Sequence, residues 1–332
     1  MNVVFFHRKP RPGNFSIEKI FVQIRSALPR EIDWRVRELM FFSTGFFRRL
    51  ISALDASLHQ QEVNHVTGDI HFIVPFLMKK RTVLTVHDIG WVYRPNRFAR
   101  ELFKWFWIVI PLRRSAIVTT VSNETKNELL KYCKVDPGKI RVIYNPISDL
   151  FVRFDQPFNK TEPRILQIGT KPNKNLFRLI EAIRGISCVL DIVGHVDTDL
   201  IAALDGAKVK YCISKNLSET EMIEKYHESD IVAFASIYEG FGLPIVEANA
   251  VGRVVVTSNV SSMPEVAGDA AHLVDPLDPD SIRQGILKVI QDDDYRQELI
   301  NRGFINKKRF DLAGIARQYA DIYSFICGPS RS

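Results

Sequence analysis

The sequence has little that would carry a protein across or into a membrane. Its N-terminal apolar run spans only four residues, Val3 to Phe6, before charge and proline intervene, which is too short for the apolar core of a secretory signal. The cysteines form no CxxC pair and no metal-type spacing with histidine, so we expect reduced and mostly buried thiols at all four positions: Cys133, Cys188, Cys212 and Cys327. Together these absences predict a cytoplasmic protein.

Several catalytic motifs are absent as well. The chain has no Walker pattern, no GxGxxG, no Ser-His-Asp arrangement and no nucleophile elbow. Two D-x-D triplets, Asp197 to Asp199 and Asp278 to Asp280, have the chemistry to hold a metal ion on a phosphate. An aspartate at a helix start is a sufficient explanation for both, with Asp278 as N-cap and Pro279 as the first helical residue. We therefore expect no metal site and no cofactor.

The composition is that of a globular protein with two domains. The chain has 332 residues, of which 46% are hydrophobic and 25% charged, and a domain holds ~150 residues. The net charge of +7 is uneven, since residues 1–150 hold 24 Lys and Arg against 13 Asp and Glu, and the remainder 21 against 25. The basic N-terminal half predicts an anionic partner, either a membrane leaflet or a nucleic acid. No recognised nucleic-acid-binding motif supports the second.

Strand and helix signals alternate along both halves of the chain, as in parallel sheets with crossover helices. The pattern predicts an α/β fold of two doubly wound, Rossmann-like domains in tandem, with the ligand loops of both facing one cleft. We assign residues 1–150 to an N-terminal domain, 151–163 to a linker and 164–310 to a C-terminal domain. The last segment, 311–332, is expected to be a helix that packs back toward the N-terminal domain.

The stretch SIYEGFGLPIVEANAVG, residues 236–252, follows an apolar strand with a two-glycine loop and a short helix. Pro244 suits the first helical position, because its missing N–H would have no partner there. Glu239 then lies where the strand stops and Glu247 just inside the helix, and the N–H groups of the helix start favour a phosphate. The alternative is that Glu239 merely ends a strand and Glu247 favours the helix dipole.

Two other loops offer polar side chains at strand ends. GTKPNKNL, which begins at Gly169, leads from a strand into a helix and places Lys174 where it can reach a diphosphate; a solvated lysine is the alternative. TVHDI places His87 at the end of another strand, as an acid, a base, a hydrogen-bond donor or a structural histidine. His65 and His71 flank the VTGD turn, where they could lie near the predicted cleft.

Two basic aromatic segments occur in the N-terminal half, at residues 97–114 and 41–50. The apolar part of the first is too short to span a bilayer. It can lie at a membrane interface with arginines on anionic headgroups, or it can be a core helix with charged ends.

These motifs together resemble glycosyltransferase family 4, whose members are retaining, metal-independent enzymes with the GT-B fold. EGFGLPIVEA resembles the E-x7-E motif of the family, and the likeness extends through ILQIGTKPNKNL, TVHDI, TVSNET, VIYNP and TSNVSSMPEVAGDAAHLVDP, in the family's order over most of residues 82–290. HRKPRPGNFS resembles, more weakly, the first loop of bacterial polysaccharide-forming members. The resemblance implies an acceptor-side N-terminal domain and a C-terminal domain that binds the nucleotide sugar.

The resemblance also implies roles for single residues. Glu239 would meet the hydroxyls of the transferred sugar, Glu247 would bind the ribose, Lys174 would neutralise the departing diphosphate and His87 would approach the donor sugar. The catalytic residues would be Glu239 and His87, and the donor would be bound by a larger set: Gly13, Gly169, Thr170, Lys174, Gly240, Phe241, Gly242, Leu243 and Glu247.

The sequence departs from the family at two places. Asn173 stands where many members carry an arginine, and the first loop has only Gly13 where the family has a glycine pair.

The implied function is transfer of a sugar, with retention, from a UDP- or GDP-linked donor to a hydroxyl of a saccharide or lipid-linked acceptor in polysaccharide biosynthesis. A nucleotide-sugar epimerase or hydrolase on the same fold, or a non-catalytic nucleotide-sugar-binding subunit, is the alternative. The expected partners are the donor, the acceptor and an anionic membrane surface that the N-terminal domain contacts from the cytoplasm. Nucleic acid is not expected.

Overall fold

A computed structural model describes residues 1–9, 16–90, 101 and 103–328 of the chain. The chain forms two compact units, one of Met1–Pro146 with Leu312–Ser332 and one of Ile147–Asp311. Residues 151–163, expected to be a linker, belong to the second unit, where Gln156 Nε2 donates to Ser229 O at 2.9 Å and Asn159 N donates to Asp230 Oδ1 at 2.9 Å. None of the described helices is long and apolar enough to cross a membrane.

The N-terminal unit is built on a parallel sheet with the strand order β2-β1-β3-β4-β5-β6. Its strands are β1 (Asn2–His7), β2 (Asp33–Glu38), β3 (Val63–Val66), β4 (Thr82–Val86), β5 (Ile117–Thr120) and β6 (Ile140–Val142). The central strands are buried on both faces, as crossover helices require, and consist mostly of Val, Ile, Leu and Thr, although β3 also carries Asn64 and His65. The edge strand β2, DWRVRE, is mostly exposed and charged, which discourages pairing with another chain.

The helices of this unit are α1 (Ser16–Ser26), α2 (Phe46–Leu58), α3 (Ile110–Arg114), α4 (Asn123–Tyr132) and, from the end of the chain, α12 (Leu312–Cys327). Short 3-10 turns cover His71–Phe76, Lys79–Arg81 and Pro137–Lys139, and a π-helical turn, Lys104–Val109, leads into α3.

The segment predicted as one helix over 97–114 changes from π-helical to α-helical geometry between Val109 and Ile110, directly before Pro111. Proline has no N–H to donate to the carbonyl four residues earlier, and a local π-helical turn accommodates such a break. The carbonyl in question is that of Trp107, which accepts a hydrogen bond from His71 Nδ1 at 3.0 Å. Residues 97–100 and Leu102 lie outside the described residues.

The last helix, α12, completes the core of the N-terminal unit. His65 is fully buried, with Nδ1 2.6 Å from the hydroxyl of Tyr323 and Nε2 2.8 Å from Thr85 Oγ1, so its ring is not exposed to a ligand. Burial lowers the pKa of His65 well below its ordinary value, so the ring is neutral. Nothing in the sequence around His65 indicates this burial, because its partner on α12 lies 258 residues along the chain.

The C-terminal unit has a second parallel sheet with the order β12-β11-β10-β7-β8-β9. This is the Rossmann order, read from β9. The strands are β7 (Arg164–Ile168), β8 (Val189–Val193), β9 (Lys210–Ser214), β10 (Ile231–Phe234), β11 (Val254–Ser258) and β12 (His272–Val274). The helices are α5 (Leu176–Ile183), α6 (Thr198–Ala207), α7 (Glu219–Glu228), α8 (Leu243–Val251), α9 (Met263–Ala267), α10 (Pro279–Gln291) and α11 (Asp293–Asn306), with 3-10 turns at Pro172–Lys174 and Lys307–Phe310.

Both D-x-D triplets begin helices, as the sequence predicted. Asp197 accepts a hydrogen bond from Leu200 N at the start of α6, and Asp278 caps α10 with Pro279 as its first residue. The expectation for the cysteines was only half right. Cys133 and Cys188 are buried, but Cys212 on the edge strand β9 and Cys327 at the end of α12 are exposed.

Candidate functional site

Apart from Gly13, the predicted donor residues gather at the switch point of the C-terminal sheet. The chain direction along the sheet reverses between β7 and β10, and ligands of doubly wound sheets bind beyond the carboxyl ends of such strands. The loop that follows β7 carries Gly169 to Lys174, and the loop that follows β10 carries Glu239 to Gly242.

Backbone and amide hydrogen bonds join these two loops. Ile237 N donates to Asn173 O at 2.8 Å, and Asn173 Nδ2 donates to Tyr238 O at 3.0 Å. Asn175, in the left-handed conformation with φ 61°, adds a bond from Nδ2 to Ala235 O at 3.0 Å. Asn173, the departure from the family pattern, thus braces the two loops against each other.

Lys174 and Glu239 form an ion pair across this junction. Nζ of Lys174 lies 2.7 Å from Oε1 of Glu239, and the two side chains are only 18% and 16% exposed. Asn173 Nδ2 donates to the same carboxylate oxygen at 3.2 Å, and the ammonium lies 4.5 Å from the centroid of the Phe234 ring. The residues expected to serve diphosphate and sugar are therefore in direct contact.

Gly169 makes room for the stem of Lys174. Its φ is +86°, and a Cβ at this position would lie 3.0 Å from Cε and 3.2 Å from Cγ of the lysine. A side chain here would be strained and would push the lysine aside. Thr170, the next residue, donates from Oγ1 to His195 O at 2.5 Å, which fixes the far side of the loop.

The helix α8 begins one residue earlier than the sequence suggested. Gly242, with φ 118°, is the N-cap, so Leu243 is the first helical residue and Pro244 the second. Glu247 is therefore the fifth residue of the helix and lies beyond its first turn. Because the helix dipole acts on charges within the first turn, it does not explain a glutamate at this position.

Tyr226 holds Glu247 in place from the end of α7. Its hydroxyl donates to Oε2 of Glu247, and its side chain is fully buried. Burial and then the charge of Glu247 raise the pKa of Tyr226 well above its ordinary value, so the phenol remains a donor. This positioning residue was not predicted, because nothing in the local sequence links it to Glu247.

Two serines of the motif TSNVSSMPEVAGDAAHLVDP, to which the sequence assigned no function, hydrogen-bond to the glycine loop that follows β10. Ser261 Oγ accepts from Glu239 N at 3.2 Å and donates to Glu239 O at 2.7 Å. Ser262 Oγ lies 2.6 Å from Phe241 O. Phe241 itself is 5% exposed and packs edge-on against Phe310, so its side chain is not available to a ligand.

His87 belongs to the N-terminal unit, at the carboxyl end of β4. Its Nε2 lies 2.7 Å from the carbonyl of Thr67, which can only accept, so Nε2 carries the proton. Burial lowers the pKa of His87, and the neutral ring then presents Nδ1 as an acceptor. This arrangement suits a hydroxyl that donates to the ring. Gly13 lies outside the described residues.

The described residues contain no group of three or more His, Cys, Asp or Glu side chains that could hold a metal ion.

Two family models match the chain and together span nearly all of it. One, described as Glycosyl transferases group 1, matches residues 149–305, and the other, Glycosyltransferase Family 4, matches residues 2–149. The chain belongs to glycosyltransferase family 4.

Relatives of this family 4 member include proteins named for mannose transfer. It is 28% identical over 232 residues to an O-antigen chain mannosyltransferase of Salmonella typhimurium, which covers 67% of the chain and 64% of that relative. It is 42% identical to O-antigen chain mannosyltransferase B of Escherichia coli over 101 residues; this match covers 30% of the chain and 26% of that relative. The matches thus span less than two thirds of these relatives' own length.

Solved structures show the same GT-B fold of two Rossmann-like domains. The Anabaena protein HepE in complex with UDP-glucose matches with a TM-score of 0.77 at 15% identity, over 97% of this chain and 99% of that one. At this identity the likeness shows the fold alone.

Proposed function

We propose that this protein transfers a sugar from a nucleotide-diphosphate sugar to a hydroxyl of a saccharide or lipid-linked acceptor in polysaccharide assembly, with retention of configuration. The observation that carries the proposal is the Lys174–Glu239 ion pair, which two joined loops hold at the switch point of the C-terminal sheet. Family membership and the O-antigen relatives support it.

The chemistry follows from the side chains of the site. The bond between the sugar's anomeric carbon and the diphosphate oxygen breaks, the acceptor oxygen bonds to that carbon from the same face, and the acceptor proton passes to the leaving diphosphate. Lys174 and the N–H groups at the start of α8 stabilise the charge that develops on the diphosphate. Glu247, held by Tyr226, accepts from the ribose hydroxyls, and Glu239 accepts from the sugar.

Mannose is the transferred sugar that the relatives' names favour. A donor screen with GDP-mannose, UDP-glucose and other UDP- and GDP-sugars, against saccharide and lipid-linked acceptors, tests this. It scores the glycosylated product and the free nucleotide diphosphate, in EDTA and in Mg²⁺. We expect product in both. Release of diphosphate without product would favour a hydrolase, a changed donor sugar an epimerase, and loss of transfer in EDTA would overturn metal independence.

The N-terminal unit is proposed to rest on an anionic membrane surface from the cytoplasmic side. Residues 1–150 carry an excess of 11 positive charges, and large aromatic side chains stand exposed on this unit: Phe46 at 73%, Phe47 at 77%, Trp105 at 47% and Phe106 at 63%. Exposed aromatics among basic side chains favour binding to anionic headgroups.

A further inference from the structure

An apolar groove of about 730 Å³ lies on the surface of the N-terminal unit. It runs between α2, the 3-10 turn His71–Phe76 and the π-helical turn that precedes α3. Its lining is almost wholly hydrocarbon and aromatic: Phe46, Leu50, Phe72, Phe76, Phe106 and Trp107. Its volume is that of a small-molecule site, and contiguous exposed apolar surface of this kind marks a binding site.

A smaller polar pocket of about 280 Å³ adjoins the groove. The two share Arg49, Phe103 and Trp107, and the guanidinium of Arg49 lies 4.9 Å from the centroid of the Trp107 ring. The polar pocket also contains Arg8, which directly follows β1, and Asp69, which lies in the loop after β3. The sheet reverses its order between these two strands, so the polar pocket lies at the switch point of the N-terminal sheet.

The polar pocket contains two buried donors whose hydrogen bonds are unmade. Nε of Arg49 and Oγ of Ser43 are buried and have no hydrogen-bond partner among the described residues. Arg49 uses another nitrogen to donate to Ser43 O at 2.9 Å. Buried polar groups in proteins are nearly always satisfied, and a guanidinium N–H beside a hydroxyl suits the oxygens of a phosphate.

The charges of the polar pocket leave it positive. Arg8 is balanced by Glu18 and Asp69. The contacts of Lys9 and Arg49 within the described residues are with backbone carbonyls and aromatic rings, without a carboxylate. Two cations therefore remain to attract an anion at the end of the groove.

We propose that the apolar groove and the polar pocket together bind one amphiphile, a lipid whose hydrocarbon chain ends in a phosphate or diphosphate. The chain would fill the groove, and the phosphate oxygens would accept from Arg49 and Ser43. The binding of this amphiphile does not depend on the proposed function. Only its role, as the lipid anchor of the sugar acceptor, rests on the proposed function.

Calorimetry of the full chain with geranyl and farnesyl phosphate, below their micelle concentrations and without sugar donor, tests the binding. We expect farnesyl phosphate to bind at least about tenfold more tightly than geranyl phosphate, since each buried methylene contributes about fourfold. Farnesol and inorganic phosphate should each bind far more weakly than farnesyl phosphate.

The chain offers matched control variants for both parts of the site. Arg49→Gln and Phe46→Ser should each weaken farnesyl phosphate about tenfold or more. Arg48→Gln and Phe47→Ser change the neighbouring exposed residues, which do not line either cavity, and should leave binding unchanged. Because Phe46 and Phe47 are similarly exposed, their variants should fold alike, and equal melting temperatures check this.

Equal weakening by both members of each pair would indicate a general membrane-binding surface and overturn the proposal. So would binding only to vesicles, binding of farnesol as tight as that of its phosphate, or a dimer that Phe46→Ser dissociates. If farnesyl phosphate binds as expected but the donor screen yields no transfer, the proposed function fails and the amphiphile site stands.

Discussion

Replacing Gly169 by alanine should damage turnover far more than it damages folding. The new Cβ would lie 3.0 Å from Cε and 3.2 Å from Cγ of Lys174, closer than ordinary contacts. The lysine stem must then move by a few tenths of an ångström, which lengthens the 2.7 Å pair with Glu239 and misplaces the ammonium.

The structure supplies a control for the backbone effect in Gly185. Its φ is +73°, close to the +86° of Gly169, but a Cβ there would meet nothing within 4 Å. Alanine at either position incurs the same left-handed strain, about 1–2 kcal/mol. This corresponds to a fall in melting temperature of about 2–4 °C per kcal/mol.

The difference between the two variants therefore isolates Lys174. Misplacement of a group that stabilises the leaving diphosphate should lower kcat/KM about tenfold or more, equivalent to ~1.4 kcal/mol. Gly185→Ala should stay within about twofold of the unchanged chain. Thermal melts and initial rates of product formation measure both quantities, and Lys174→Ala gives the rate without the ammonium. If the two alanine variants have equal activity, or if Lys174→Ala is fully active, the reasoning is refuted.

Three further predictions concern the nucleotide, acid stability and the membrane. Glu247→Ala should weaken calorimetric binding of the free nucleotide diphosphate, whereas Glu239→Ala should mainly lower kcat; unchanged affinity in the first would disprove the ribose contact. Burial, with the charges of Arg25 and Arg8, lowers the pKa of His7 to about 3. The unfolded chain, with a histidine pKa of ~6.5, then binds more protons than the folded chain as pH falls from ~6.5 toward 3. The free energy of unfolding should therefore decrease by about 1.6 kcal/mol between pH 6.5 and 5 from this residue. Urea unfolding of His7→Gln should show a shallower pH dependence, and an equal slope contradicts the assignment. The protein should float with anionic but not with neutral vesicles at low salt. Glutamate at three exposed arginines, Arg48, Arg113 and Arg114, should abolish this flotation. Equal recovery of the unchanged protein with both vesicle types would refute the membrane proposal.

The parts of the fold and site that could be predicted are those encoded locally. A strand buried on both faces reads as an apolar run, such as VLTV in β4 or VVVTS in β11, and the loop chemistry follows directly after it. The places of Glu239, Glu247 and Lys174 after β10 and β7 were therefore identifiable from the sequence, whereas their roles stay a prediction that the family resemblance implies. Helix starts marked by Asp197 and Asp278 were identifiable for the same reason.

The parts that could not be predicted depend on residues far apart in the chain. Three such contacts form only when the folded sheet brings separate loops together: the ion pair of Lys174 with Glu239, the hydrogen bond from Tyr226 to Glu247 and the hydrogen bonds between Ser261 and Glu239. The local sequence around a histidine such as His65 does not show whether its ring contacts a ligand or a buried tyrosine.

The return of α12 to the N-terminal unit has a consequence for how the protein is made. Because Tyr323 supplies the hydroxyl that pairs with His65, the first unit cannot complete its core until the last described helix has left the ribosome. The second unit, Ile147–Asp311, is continuous and can fold as soon as it emerges. At ~5–20 residues per second its synthesis takes roughly 10 to 30 s. For that time the nascent first unit is exposed to chaperones and proteases, although the sequence encodes it first.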